Sequence, residues 1–373
     1  MPLALVHDWL NQLGGAEDVL ETLAQMFPQS PIFTSIYWKA GMPEHYRQWP
    51  IRVSFMDRLP GVHRHHQPYL PLYPLAFERL NLTGHDLILS NKSGFCHGVP
   101  KPGGAVHICY CLAPTRYVWG FDEYAAREGL SSTVRVLLRP LLAGLRRWDL
   151  RAARRVDHFI AISSDIQRRI ARFYERESVI IHPPVDLRRF AMRRDVPVER
   201  LDGDDYFLSV GRLIPYKRVD LAVKACGQLN LPLWVGGAGR DRERLEGMAG
   251  PQVKFLGRVP EADLPEVLAR CRAFIFPGLE DFGITPVQAL AAGRPIIAYA
   301  GGGALDIVQE GVNGVLFHEH TEAALGEAIE RFSKIKFDSE TIRRSAEKFD
   351  AAVFKEKLTA FIAEKTAHFP GEG

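Results

Sequence analysis

Short apolar runs alternate with amphipathic stretches along almost the whole chain. In the first half the runs Leu3–Val6, Pro31–Ser35, Asp86–Ser90, Val106–Cys111 and Asp157–Ser163 read as strands, and stretches such as "GAEDVLETLAQMF" and "SDIQRRIARFY" carry the helical period between them. Such alternation predicts a mainly parallel sheet with helices on both faces. "VIIHPPVDLRRF" (Val179–Phe190) then ends a strand in two prolines, which neither a helix nor an inner strand can continue, and marks a junction. Beyond it the pattern restarts at Tyr206–Gly211, Leu231–Gly237, Val253–Gly257, Ala273–Gly278 and Pro295–Ala300, with "DLAVKACGQL" and "LPEVLARCR" as intervening helices. The expected fold class is α/β, two doubly wound units in series. Sheets of this kind bind ligands beyond the carboxyl ends of their strands, so a cleft between the units is the expected binding place.

Composition narrows the picture. A chain of 373 residues is long for one core, and 46% hydrophobic with 24% charged residues fits a water-exposed globular protein. Lys plus Arg (47) barely exceeds Asp plus Glu (44), so any anion site must be local and no general nucleic-acid field is implied. The five cysteines lack zinc spacing and are expected as buried, reduced core residues. No signal peptide follows Met1, and no apolar run reaches about 18 residues. The expectation is a cytoplasmic protein that meets a membrane, if at all, from its surface.

Several motifs carry candidate chemistry. In "LSVGRLIPYKRVDLAV" the cations Arg212 and Lys217 flank a turn between a strand and a helix, which suits a diphosphate. Solvated loop charges are the plain alternative. Gly14 and Gly15 also open a helix after a strand and could let backbone amides approach a phosphate, or simply form a turn. "VGGAGRD" and "AGGGALDIV" are further glycine turns without dinucleotide-binding spacing. His63, His65 and His66 sit among prolines without a supporting carboxylate and read as an exposed loop, not a metal site. Val134–Arg155 interleaves Arg135, Arg139, Arg146, Arg147, Arg151, Arg154 and Arg155 with leucines and Trp148; it could dock on anionic lipid or be a helix with a solvated basic face.

Together, "HDWLNQLGGAE", "GRLIPYKR" and "LEDFGITPVQALAAGRPIIAY" resemble the retaining glycosyltransferases of family 4, which have the GT-B fold of two Rossmann-like domains. The resemblance implies an acceptor-binding domain over 1–184, a nucleotide-sugar domain over 185–349, and a terminal helix over 350–373 returning to the first. It implies a metal-independent hexosyltransferase that moves a hexose, with mannose favoured, from a GDP- or UDP-linked donor to a glycan or polyprenyl-linked acceptor in surface polysaccharide synthesis. The residues carried over are Arg212 and Lys217 on the diphosphate with Gly15 supporting, Glu280 on the sugar hydroxyls, the amides of Phe282, Gly283 and Ile284 on sugar and phosphate, and Gln288 on the ribose. His7, Asp8, Trp9 and Arg116 would face the acceptor. Gln288 stands where the family has a second glutamate, Leu112 where many members have a histidine, and Asp306 where a glutamate is usual; Arg116 and Trp119, and after them His97, are neighbouring candidates for the missing histidine's place. These departures keep two alternatives open: an inactive sugar-nucleotide-binding protein, and a nucleotide-sugar epimerase of the same fold.

Overall fold

The computed structural model describes residues 1–121, 131–191 and 206–367, which form two compact units: residues 1–184 with 354–373, and residues 185–353. The first is built on seven strands: β1 (Leu3–His7), β2 (Ile32–Thr34), β3 (Ile51–Val53), β4 (Leu87–Lys92), β5 (Val106–Cys111), β6 (His158–Ala161) and β7 (Ser178–Ile180). Their order is β3-β2-β1-β4-β5-β6-β7, every pair parallel. Every residue of β1 and β4 is buried, as parallel strands covered on both faces must be. Helix Gly15–Met26 closes one face with Val19, Leu20, Leu23 and Ala24, a stripe at helical spacing. Burying a valine or leucine side chain such as Val19, Leu20 or Leu23 contributes about 1.5–3 kcal/mol relative to exposure. From Phe354 on, helix Ala351–Thr366 belongs to this unit: Phe354 lies edge-on to Tyr110 and Phe361 to His158.

The second unit has six parallel strands, β8 (Phe207–Val210), β9 (Leu233–Gly236), β10 (Val253–Gly257), β11 (Ala273–Phe276), β12 (Ile296–Tyr299) and β13 (Gly314–Phe317), in the order β10-β9-β8-β11-β12-β13. Its core gathers Phe207, Leu233, Ile275, Ile297 and Val315 with Leu221 and Leu325 from the covering helices. In both units the strand order reverses once, between β1 and β4 and between β8 and β11. Those are the positions where a doubly wound sheet parts its loops and leaves room for a ligand.

One expectation needs correcting here. The segment around His63–His66 is not an exposed loop throughout, because His66 is buried against Trp9 and its Nδ1 lies 3.0 Å from the Tyr73 hydroxyl. Burial pushes its pKa down to about 4. His63 instead contacts Asp57 at 2.9 Å, and among the described residues no cluster of three His, Cys, Asp or Glu side chains could hold a metal. All five cysteines are buried and unpaired.

Candidate active site

In the second unit the loops after β8 and β11 meet at the reversal point. The first carries Arg212 and, in a short turn over Pro215–Lys217, Lys217; the second carries Glu280. Lys217 Nζ donates to Glu280 Oε2 at 2.5 Å, and both side chains are mostly buried. The approach depends on Gly278: a Cβ there would lie 2.9 Å from both the Cα and the carbonyl oxygen of Lys217, atoms that cannot yield. Arg212 is exposed, and among the described residues its guanidinium has no carboxylate or hydrogen-bond partner. One cation is therefore free and the other is held by the carboxylate assigned to the sugar.

Glu280 is anchored by its backbone to the triple-glycine loop. Gly303 N donates to Glu280 O at 2.8 Å, and Gly302, at φ +58°, would place a Cβ 2.1 Å from that same oxygen. The glycines of "AGGGALDIV" thus let one loop lie against another. Those of "VGGAGRD" do the same, since a Cβ on Gly239 would fall 2.1 Å from Leu213 O. Helix Ile284–Ala291 then starts at Gly283 without a side-chain cap, leaving its first-turn N–H groups without intrahelical acceptors. Gln288, one turn on and half-buried, has among the described residues no side-chain partner. Phe282 is buried edge-on against Phe349, so only its backbone can serve a ligand.

The first unit assigns different work to its expected acceptor residues. Asp8 is buried, and its carboxylate accepts the backbone N–H groups of Ser93, Gly94, Phe95 and Cys96 at 2.6–2.8 Å together with the Ser93 hydroxyl. With about four lone-pair sites in all, nothing remains for an acceptor. Trp9 lies in the core beside Tyr73 and His66. His7 is buried between Glu17 and Asn91: Asn91 Nδ2 donates to Ala16 O at 2.7 Å and faces His7 Nδ1 at 3.2 Å, so the imidazole accepts at Nδ1 and donates from Nε2 to Glu17 at 3.2 Å. These three residues therefore brace the loops of the first unit, where an acceptor-facing role was expected of them. Gly14 and Gly15 are exposed at the helix start, where Glu17 and Asp18 already supply acid to the first turn. Arg116 is exposed.

Arg116 opens a short helix whose position rests on a network not foreseen from the sequence. Lys92, fully buried at the end of β4, donates to Ala113 O and Thr115 Oγ1 at 3.0 and 3.2 Å. The Thr115 hydroxyl lies 2.7 Å from both Gly94 O and Asp149 Oδ1, its one hydrogen serving either of them, and Trp119 Nε1 donates to Asp149 at 2.7 Å. The only signals were one lysine closing an apolar strand and one acid in an arginine-rich helix. His97 is buried here too; burial, with Lys92 and His107 adding, pushes its pKa well below the usual histidine range. Leu112 is buried.

The likeness to known proteins follows this division. The family described as Glycosyltransferase Family 4 matches residues 13–189, and Glycosyl transferases group 1 matches residues 193–349. The chain carries both glycosyltransferase family domains, in GT-B order. Among solved structures, the Anabaena protein HepE in complex with UDP is similar over 98% of this chain and 100% of its own at a TM-score of 0.70 and 18% identity. An uncharacterised glycosyltransferase of Methanocaldococcus jannaschii is 28% identical over 37% of this chain and 38% of its own. A GDP-mannose-dependent alpha-mannosyltransferase of Corynebacterium glutamicum is 33% identical over 29% of this chain and 26% of its own. The match spans less than half the length of each of these two curated relatives.

Proposed function

We propose that this protein is a retaining hexosyltransferase that takes a nucleotide-diphospho-sugar on its second unit and builds a surface glycan. The observation that carries the reading is the grouping of Arg212, Lys217, Glu280, the uncapped helix start at Gly283 and Gln288 around one strand-order reversal, Arg212 and Gln288 having no side-chain partner among the described residues. Two cations and free amides suit a diphosphate, a carboxylate suits sugar hydroxyls, and an amide side chain suits a ribose. In the proposed step the acceptor hydroxyl oxygen bonds to the anomeric carbon on the face that the phosphate leaves. The C–O bond to phosphate breaks, and the departing phosphate oxygen takes the acceptor's proton. Arg212 and Lys217 stabilise the charge that develops on the diphosphate, a preorganised electrostatic contribution that needs no metal. The GDP-mannose named for the Corynebacterium relative and the UDP bound by HepE leave GDP and UDP as the donor bases, with mannose favoured.

A thermal-shift panel of GDP- and UDP-hexoses tests donor binding, and one member is expected to raise the melting temperature; no response to any of them contradicts the reading. Arg212→Ala is expected to weaken the corresponding nucleoside diphosphate by roughly tenfold to a hundredfold, since a charge-assisted contact contributes about 1.5–3 kcal/mol. Unchanged affinity in a titration removes the diphosphate assignment. At Gln288, a carboxylate would gain charge-assisted bonds to ribose but meet the diphosphate, at about 2 kcal/mol of repulsion per charge for about 7 Å and an effective dielectric near 20. The two effects oppose each other, and the cations Arg212 and Lys217 offset part of the repulsion. Gln288→Glu should therefore shift donor affinity by less than about tenfold and leave transfer intact, while Gln288→Ala weakens the donor more. If Gln288→Glu instead switched on transfer in an inert protein, the inactive-binder alternative would hold.

A polyprenyl-linked acceptor would bring the protein to an anionic membrane surface. Among the described residues no helix is long and apolar enough to cross a membrane. Helix Ser132–Arg155 divides its residues along its length. Arg146 and Arg155 work inward, donating to Val118 O and Gly98 O, and Trp148 is buried, so the far half is committed to the unit. The near half exposes Val134, Val136, Leu137 (72% exposed) and Leu141 beside Arg139. Sedimentation with anionic vesicles should thus be lost in a Val136→Ser/Leu137→Ser variant and weaken with salt, which cuts the reach of charge to about 8 Å near physiological ionic strength. A native protein that ignores such vesicles would make this face an ordinary solvated helix.

A further inference from the structure

The first unit has a second candidate site at the open edge of its sheet. β3 is the outermost strand, and at its end a cavity of about 410 Å³ is lined by Arg52–Phe55 and by Ala76 and Arg79–Asn81. Its floor is apolar, from the buried Phe33, Ala76 and Leu80; its rim exposes Val53 and Phe55. Two arginines flank it, each laid on an aromatic ring, Arg52 over Phe33 at 5.4 Å and Arg79 over Phe55 at 6.0 Å. Among the described residues neither guanidinium has a carboxylate or hydrogen-bond partner. The carboxylates nearby in the chain are committed elsewhere: Asp57 to Tyr37 N and His63, Glu78 to Trp148 and Arg155.

A guanidinium attracted to a ring face and without a carboxylate or hydrogen-bond partner has its N–H donors available to an oxyanion, and phosphate matches that fork. The apolar floor asks for something a bare anion does not supply, and the volume falls within the ordinary range for a ligand pocket. We propose that this groove binds a phosphate-bearing lipid, the phosphate between Arg52 and Arg79 and the first carbons of the chain on Phe33, Ala76 and Leu80. The site is separate from Arg212 and Lys217, which belong to the other unit, and does not depend on the activity proposed there.

Hydrogen exchange of the full chain with monomeric dodecyl phosphate tests this. Protection is expected at residues 51–58 and 76–81, at least about tenfold weaker in an Arg52→Gln/Arg79→Gln variant. Val53→Asp, an exposed rim change that adds a like charge beside the phosphate, should weaken it as well. Dodecyl maltoside, with the same chain and no charge, and inorganic phosphate, with the charge and no chain, should each protect far less at equal concentration. No protection, protection elsewhere, or unaltered protection in both variants overturns the proposal. Equal protection by dodecyl maltoside would make the groove merely apolar, and equal protection by inorganic phosphate would make it an anion site without a lipid, each contradicting it.

Discussion

Glu280→Ala is expected to lower hexose transfer by about a hundredfold or more while free nucleoside diphosphate binds at least as well as to the native protein. Two charge-assisted bonds to sugar hydroxyls, at about 1.5–3 kcal/mol each, set the scale of the loss. The gain for the free diphosphate comes from the pairing seen without ligand, where Lys217 is held by Glu280 at 2.5 Å. Removing the carboxylate frees the cation and takes away a like charge facing the phosphates. The pair keeps some contact with water, its side chains being 20% and 15% exposed, so the gain should not exceed about tenfold. Steady-state transfer and a nucleoside diphosphate titration on one preparation separate the cases. Turnover near the native rate would make Glu280 structural; diphosphate affinity falling together with transfer would mean that Glu280 only positions Lys217.

Asp8→Ala should cost the first unit more stability than any other single change considered. It strands three buried backbone N–H donors, at Gly94, Phe95 and Cys96, and the half-buried one of Ser93. An unsatisfied buried donor costs about 1–3 kcal/mol, so the three buried ones alone sum to at least about 3 kcal/mol against a typical total stability of about 5–15. Asp8→Asn keeps an accepting oxygen and should fall between. Because the chain has two units, local hydrogen exchange reports better than one melting temperature. Amides of 93–96 should exchange at least about a hundredfold faster in Asp8→Ala. Exchange within about threefold of native would mean that water replaces the carboxylate, and that Asp8 is free to take another role after all.

Asp8 also marks where sequence reasoning stops. The run "HDW" after the first strand invites a ligand-facing reading, but the donors that saturate the carboxylate come from residues more than eighty positions later. Only the β1–β4 pairing brings them together. The second unit was more legible, because Arg212, Lys217 and Glu280 all sit just beyond strand ends, and strand ends can be read from apolar runs. The pairing of Lys217 with Glu280 was not legible, since it depends on Gly278 permitting a close backbone approach. Strand β3 escaped for a simpler reason: two of its three residues are exposed at the sheet edge, which leaves no apolar run to read, and β13 went unread as well. Lys92 and Asp149 lie 57 positions apart, and nothing local marks either as a member of one buried network.

The most direct test of the central claim follows a panel of GDP- and UDP-hexoses with the native protein by nuclear magnetic resonance, in the presence of lipid-linked and free glycan acceptors. The account predicts that one donor is consumed, that nucleoside diphosphate accumulates in step, and that the new glycosidic bond keeps the donor's anomeric configuration. An inverted anomer would contradict the proposed same-face displacement. A donor that binds without any release of nucleoside diphosphate, or one returned with its sugar epimerised, would contradict the transferase reading itself.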